Sequence, residues 1–320
     1  MAGGDAIVSN CFVSHLLHAR GPSSGRVRER PTWTWLLRER GPLRGPLEMC
    51  LVSACTLRRQ LNLSTAARPA PHFHYFLEDT LPDDLVAPFR AVADSVELLP
   101  PFEWPGRPLA STQRDRLYSF NKLRVWTLTR FDRVLYFDPD VFWTGDASRY
   151  LARYGHAPRL AVAEYFGANK PLWWEQRKLR YINSGILVLR PSLAEHAALL
   201  SRLARGDFVP AEPSRAGSPG LAGRSKMSEQ DVIRSHFEGV WTAMPECENF
   251  RGYVKRGGGQ AHCEVGAVIA WHGARLRGLA AAQCQASKPP QLAPSFRAWL
   301  GQRAATPTRT GIQQHSGVYK

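Results

Sequence analysis

The run Arg133-Val134-Leu135-Tyr136-Phe137-Asp138-Pro139-Asp140-Val141-Phe142-Trp143 constrains this chain more than any other stretch. Its unbroken apolar part, with β-branched and aromatic members, predicts a strand buried on both faces, as in a parallel sheet. Pro139 has no N–H to offer a ladder, so the strand should stop there. Asp138 and Asp140 then fall at the carboxyl end of the strand, where open α/β sheets bind ligands. Two carboxylates so spaced suit one hard divalent cation, Mg²⁺ or Mn²⁺, that shares its shell with substrate phosphates. Taken alone, the pair fits a solvated Asp-Pro turn better, and the rest of the chain has to decide.

The pattern around this strand alternates helix and strand. Leu47, Leu51, Val52, Cys55 and Leu57 mark one face of a helix running to about Gln60. A strand follows at His72–Leu77, a helix at Asp79–Ala93 and a strand at Ser95–Leu99. Leu117–Phe131 reads as a helix with Leu123, Trp126, Thr127 and Leu128 inward. After the Asp pair, Arg159–Ala163 reads as a strand. The apolar half of Tyr181–Pro191 is another strand, with Asn183 and Ser184 capping or turning the backbone before it. Ser192 and Ser228 are placed to cap helices over Leu193–Arg205 and Glu229–Phe237. Val268–Gly273 is a last strand, ending at His272. Such alternation predicts an α/β fold with a doubly wound sheet.

Residues 1–45 look different. Gly21-Pro22 and Gly41-Pro42 lie in breaker clusters, and Arg20, Arg26, Arg28, Arg30, Arg38, Arg40 and Arg44 crowd together. Thr32–Leu37 is a candidate short strand; otherwise the segment predicts little order. The Pro-, Gly- and Ser-rich stretch 211–223 reads as a flexible loop, and the Pro-containing end as a tail. The expected division is therefore 1–45 as an N-terminal segment, 46–284 as one catalytic domain and 285–320 as a tail.

A formal charge of +15 draws attention to anionic partners: nucleic acid, membrane or polyphosphate. The chain has no zinc-finger or RNA-recognition signature, which argues against nucleic acid. Its six cysteines show no paired metal spacing and read as ordinary thiols of a reducing compartment, with disulfides the alternative. No apolar stretch nears the ~20 residues that span a bilayer. Met1–Arg20 lacks a basic start before a long apolar core, so no secretory signal is read. These features point to the cytoplasm, with the Golgi or secretory route as the other choice. His72 and His74, two apart on a strand, read as a half-exposed pair, with a shared metal as the sharper alternative.

The order of several short motifs resembles the family 8 glycosyltransferases, the glycogenin and galactinol-synthase family. Phe120-Asn121-Lys122-Leu123-Arg124-Val125-Trp126 before Leu135-Tyr136-Phe137-Asp138-Pro139-Asp140 is similar to the family's core signature. Asn183-Ser184-Gly185 is similar to its second motif, Glu229-Gln230 to its Asp-Gln pair and His272-Gly273 to its C-terminal histidine segment. The resemblance covers about residues 47 to 280. It implies a GT-A fold: a Rossmann-like, mostly parallel central sheet flanked by helices in a single catalytic domain. It also implies a UDP-sugar donor, Mn²⁺ or Mg²⁺, and transfer of a hexose with retention at the anomeric carbon.

By the same resemblance, Asp138, Asp140 and His272 hold the metal. Lys122, Asn183, Ser184 and Gly185 meet the donor, while Glu229 and Gln230 lie near the anomeric carbon. A carboxylate there can be nucleophile or ion-pair stabiliser; a front-face attack with the departing phosphate as base is equally allowed. The implied partners are the nucleotide-sugar and an acceptor drawn from protein, glucan, inositol or lipid. A homodimer is compatible with this, and no nucleic acid is expected.

Three departures stand out. The family's first strand, with its nucleotide-holding Thr and Tyr, has no evident counterpart before Leu47. Glu229 replaces the Asp of the Asp-Gln pair. The Lys-Pro-Trp after the histidine is missing, leaving Arg275 or Arg277 to grip phosphate. An inactive homologue and a basic nucleic-acid-binding protein are the competing readings.

Overall fold

Alternation of side chains along a few strands sets the architecture. The computed structural model describes residues 4–12, 44–64, 70–105, 117–164, 182–208, 228–249 and 270–272. Strand β1 (Asp5–Cys11) pairs in parallel with both β2 (His72–Glu78) and β4 (Arg133–Phe137). Strand β3 (Ser95–Leu99) lies parallel to β2. Beyond β4 the sheet continues through β7 (Ile182–Leu189), β6 (Leu160–Glu164) and β8 (Thr242–Met244), in the order β3-β2-β1-β4-β7-β6-β8. Strand β7 runs antiparallel to both neighbours, and β6 and β8 are parallel to each other. A separate two-stranded sheet joins β5 (Val141–Trp143) to β9 (Ala270–His272), with Val141 opposite His272.

Residues two apart on a strand share a face. Ile7, Phe73, Tyr75, Leu135 and Phe137 pack on one side, with Leu57 of α1 (Arg44–Leu63), Phe89 of α2 (Asp83–Val92) and Tyr150 of α3 (Ser148–Tyr154). Ala6, Val8, Phe76, Val134 and Tyr136 pack on the other. There they meet Leu123 and Trp126 of a 3-10 helix (Leu117–Thr127), Leu199 of α4 (Leu193–Arg205) and Ile233 of α5 (Glu229–Phe237). The sheet is thus covered on both faces, as a mostly parallel sheet requires.

Several expectations are corrected. The N-terminal segment is not separate from the sheet: β1 is an interior strand, between β2 and β4. The strand escapes the hydrophobic pattern because only Ala6, Ile7 and Val8 are apolar in a row. Ser9 and Asn10 follow, and their polar groups are satisfied across the sheet: the Ser9 hydroxyl donates to the Phe137 carbonyl and the Asn10 amide to the Tyr136 hydroxyl. The expected helix at 117–131 is a 3-10 helix ending at Thr127. Its three-residue turn stacks buried Phe120, Leu123 and Trp126 on one side, while Thr127 is exposed. Helix α2 starts at Asp83, not Asp79, because Pro82 disfavours helical geometry in the residue before it. Asn183, Ser184 and Gly185 lie inside β7, not before it. His74 is buried; only His72 of that pair is half-buried. The candidate strand 32–37, the loop at 211–223 and the tail fall outside the described residues.

The thiol expectation also fails. Cys11, at the carboxyl end of β1, is disulfide-bonded to Cys50 in α1, across a sequence separation of 39. Cys55 is disulfide-bonded as well, and among the described residues no cysteine is free. Closing a loop of that length stabilises a fold by about 4 kcal/mol in the chain-entropy account. The helix caps follow expectation: Ser192 Oγ accepts from the Glu195 N–H, and the Asp231 carboxylate accepts from the Ser228 N–H and hydroxyl. No helix among the described residues is long and apolar enough to cross a membrane.

Candidate functional site

Strand β4 ends at Phe137, and Asp138 follows on the same face as Tyr136. The Asp138 N–H donates to the Gly185 carbonyl at 2.8 Å, which ties the first acid of the pair to β7. Strand β7 is itself irregular at this point. Leu187 stands opposite Val162 of β6, but the next pair is Asn183 with Ala163, so Ser184, Gly185 and Ile186 are skipped in that ladder. Bulges of this kind re-aim side chains near sites. Here the Asn183 side chain folds back to accept the Gly185 N–H at 3.0 Å, and Ser184 is turned toward α5.

Lys122 rises from the 3-10 helix into this corner. Its ammonium has four oxygen neighbours: Asp138 Oδ1 at 2.9 Å, Glu229 Oε1 at 2.8 Å, Ser184 Oγ at 2.9 Å and the Ser184 carbonyl at 3.0 Å. Its Nζ also stands 5.3 Å from the centre of the Tyr136 ring. The side chain is only 2% exposed. Burial alone favours the neutral amine. The charges of Asp138 and Glu229, and hydrogen bonds to both, outweigh it and hold the pKa above the ordinary lysine range. Glu229 mirrors this. Burial would raise its pKa, but the Lys122 charge and hydrogen bonds from Lys122, Ser119 and Ser184 keep it below the usual carboxylate value. The corner therefore holds real charges in a dry setting.

Three residues not named as site residues from the sequence complete it. The Tyr136 hydroxyl donates to Asp138 Oδ1 at 2.9 Å and accepts from Asn10 Nδ2 at 3.1 Å. Strand β1 is thereby linked to the acid pair. Asn249 Nδ2 donates to the Asn183 carbonyl at 3.2 Å. Tyr136 was visible in principle, being two residues before Asp138 on one strand face. Asn10 and Asn249 carried no local signal.

Of the sequence-derived site residues, the fold brings Lys122, Asp138, Ser184, Gly185, Glu229 and Gln230 into one contact network. Gln230 Oε1 accepts the Ser184 N–H at 2.9 Å. Asn183 is buried beside them. Asp140 is half-buried, one residue before β5. His272 reaches the neighbourhood through its strand, whose backbone pairs with Val141. Its side chain, and Arg275 and Arg277, lie outside the described residues. Among the described residues no group of three His, Cys, Asp or Glu side chains is placed to hold a metal.

The fold is that of known GT-A glycosyltransferases. The galactosyltransferase LgtC, in complex with donor and acceptor sugar analogues, superposes with a TM-score of 0.52 at 13% identity, over 95% of this chain and 98% of that one. An active-site mutant of LgtC gives 0.53 at 12% identity, over 92% and 99%. The apo bifunctional glycosyltransferase WbbM gives 0.56 at 11% identity, over 95% of this chain and 52% of that one. Likeness at such identity is likeness of fold. No family model matches the chain, and no curated protein matches it in sequence. The resemblance to family 8 rests on its motifs alone.

Proposed function

We propose that this chain is a retaining glycosyltransferase that moves a hexose from a UDP-sugar to an acceptor hydroxyl. The observation that carries this reading is the convergence of Asp138, Lys122, Ser184, Glu229 and Gln230 at the sheet edge where β4 ends. That edge is where open α/β sheets bind nucleotides. The GT-A fold supports the same reading.

Asp138, Asp140 and His272 would hold Mn²⁺ or Mg²⁺, and a bound ion would neutralise the diphosphate leaving group as a Lewis acid. The chain's own residues have distinct tasks. The Asn10–Tyr136 pair fixes the orientation of the Asp138 carboxylate. The Asn183–Gly185 bulge brings backbone close to where the sugar would lie, and Gly185 adds no side chain to obstruct it. Arg275 is the candidate for gripping phosphate. The Cys11–Cys50 disulfide supports work in an oxidising compartment, since cytosolic thiols are kept reduced; this reading replaces the expected cytoplasm.

The test is UDP release from a panel of UDP-sugars with Mn²⁺, beside an Asp138→Ala/Asp140→Ala variant. The expected result is metal-dependent release that the variant loses. Absence of release, together with absence of UDP binding by calorimetry, would overturn the reading.

A further inference from the structure

We propose that His72 and His74 form a Zn²⁺ site at the amino edge of the sheet. That edge is opposite the strand ends that carry Asp138, and the inference stands or falls without the glycosyltransferase reading. His72 and His74 lie two apart on β2 and so share a face. Their imidazoles converge on one point. His72 Nε2 is 2.7 Å, and His74 Nδ1 2.6 Å, from Ser95 Oγ on the neighbouring strand β3. A hydroxyl has one proton, so it donates to one ring and accepts from the other.

Two features make this more than a shared hydrogen bond. The first is Glu97. Its Oε2 lies 3.3 Å from His74 Nε2, the ring nitrogen not held by Ser95. A carboxylate there holds the proton on Nε2 and leaves the Nδ1 lone pair for the shared point. Carboxylates behind ligating histidines orient them in this way. The second is a wall of rings. Phe131 packs against His72 and His74 at centroid distances of 5.4 and 6.5 Å, and Phe76 meets His74 edge-on at 4.9 Å. Packing therefore fixes both ligand rings before an ion arrives, as a tight site requires.

Zn²⁺ binds imidazole nitrogen at about 2.0–2.1 Å. Each ring then needs to move only about half an ångström toward the shared point, once the Ser95 hydroxyl turns to another rotamer. His74 is buried, but His72 and Ser95 are half-buried, so the ion enters from their side and waters complete its shell. Imidazole suits Zn²⁺ and Cu²⁺, whereas Mg²⁺ prefers oxygen ligands. Arg130 is the opposing charge. Its Nη2 stands 3.4 Å from His74 Nδ1 and 3.3 Å from Nε2, nearly equally far from both and so on neither lone-pair axis. The side chain is 52% exposed and can swing into solvent.

The experiment titrates Zn²⁺ into the full chain by calorimetry, with Mg²⁺ in excess. The unsubstituted chain should bind Zn²⁺, and its unfolding midpoint should rise by about 2 °C or more. His72→Ala changes the half-buried ligand and should weaken binding at least about tenfold, the smallest loss expected for a ligating group. Glu97→Gln should weaken it several-fold, and Arg130→Gln should tighten it. Cu²⁺ as a spin probe should couple to two imidazole nitrogens, and to fewer in His72→Ala. A loss below tenfold in His72→Ala would put the ion on other histidines of the chain and overturn the proposal. Two-nitrogen coupling that survives this substitution, or an unsubstituted chain that binds no Zn²⁺, would overturn it too. Should His72→Ala fail to fold, His72→Gln keeps a polar partner for Ser95 and gives the same comparison.

Discussion

Lys122 and His74, both buried on the 3-10-helix face of the sheet, can each carry a positive charge, and the fold treats them oppositely. Lys122 is surrounded by Asp138, Glu229 and the oxygens of Ser184, and it stays charged. His74 lies nearer the amino end of β2, with its Nδ1 2.6 Å from Ser95 Oγ and an Arg130 nitrogen 3.3 Å from its Nε2. Burial, Arg130 and His72, in that order, push its pKa down to about 3. Glu97 stands 3.3 Å away, but at 41% exposed it is too well solvated to reverse this. Burial penalises both cations; only converging carboxylates win the charge back. Of these two groups, the charge is kept at the strand ends where chemistry is expected and discarded at His74.

The largest test of this contrast is Lys122→Met. Removing the ammonium leaves Asp138 and Glu229 facing each other without their shared cation, and breaking a buried pair in this way costs roughly 3–5 kcal/mol. Urea denaturation should show that loss, and UDP-sugar turnover should vanish. A loss below about 1 kcal/mol would mean that Lys122 is a passive neighbour, and the contrast would collapse.

Next comes the disulfide. Cys11 ends the strand whose Asn10 supports the Tyr136–Asp138 link, so Cys11→Ser/Cys50→Ser should weaken UDP binding and cost about 2–4 kcal/mol. The His74 pocket, which meets β1 through the Val8–His74 pairing, should keep its pH behaviour. Equal damage to both regions would show that β1 acts as one rigid unit.

His74 gives a pH test with a definite sign. Above pH 6.5 the folded and unfolded chains both hold it neutral. As the pH falls from 6.5 toward 3, the unfolded chain takes a proton that the fold refuses, so stability is lost across that window. The slope is of order 1 kcal/mol per pH unit. Replacing His74 by Phe should flatten the stability curve between pH 6 and pH 4 relative to the unsubstituted chain, a window spanned by roughly those two units. Parallel curves would show that the histidine is already charged when folded.

The smallest effect belongs to Tyr136→Phe. It removes the hydroxyl between Asn10 and Asp138, but Asp138 Oδ1 keeps Lys122 at 2.9 Å. The cost should be about 1 kcal/mol in denaturation, with a correspondingly modest rise in the UDP dissociation constant. A larger loss would move Tyr136 from support to the centre of the site.

What could be read from residues alone was whatever repeats locally. The apolar run of β4, its stop at Pro139, the Asp pair beyond it, and the capped helices α4 and α5 each follow from neighbours a few positions apart. So did the alternation that gives a mostly parallel sheet flanked by helices. The motif residues Lys122, Ser184 and Glu229 were legible as separate signals. Their meeting at one ammonium was not, because it spans separations of 62 and 107 residues. The same holds for β1. Asp5, Ser9 and Asn10 are polar, and the partners of the last two, Phe137 and Tyr136, lie 128 and 126 positions away, so no local pattern marks the strand. The Cys11–Cys50 bond likewise exists only once β1 lies beside α1. Periodicity belongs to the chain, but the oxygens around a buried charge are supplied by remote segments, and only the folded structure brings those segments together.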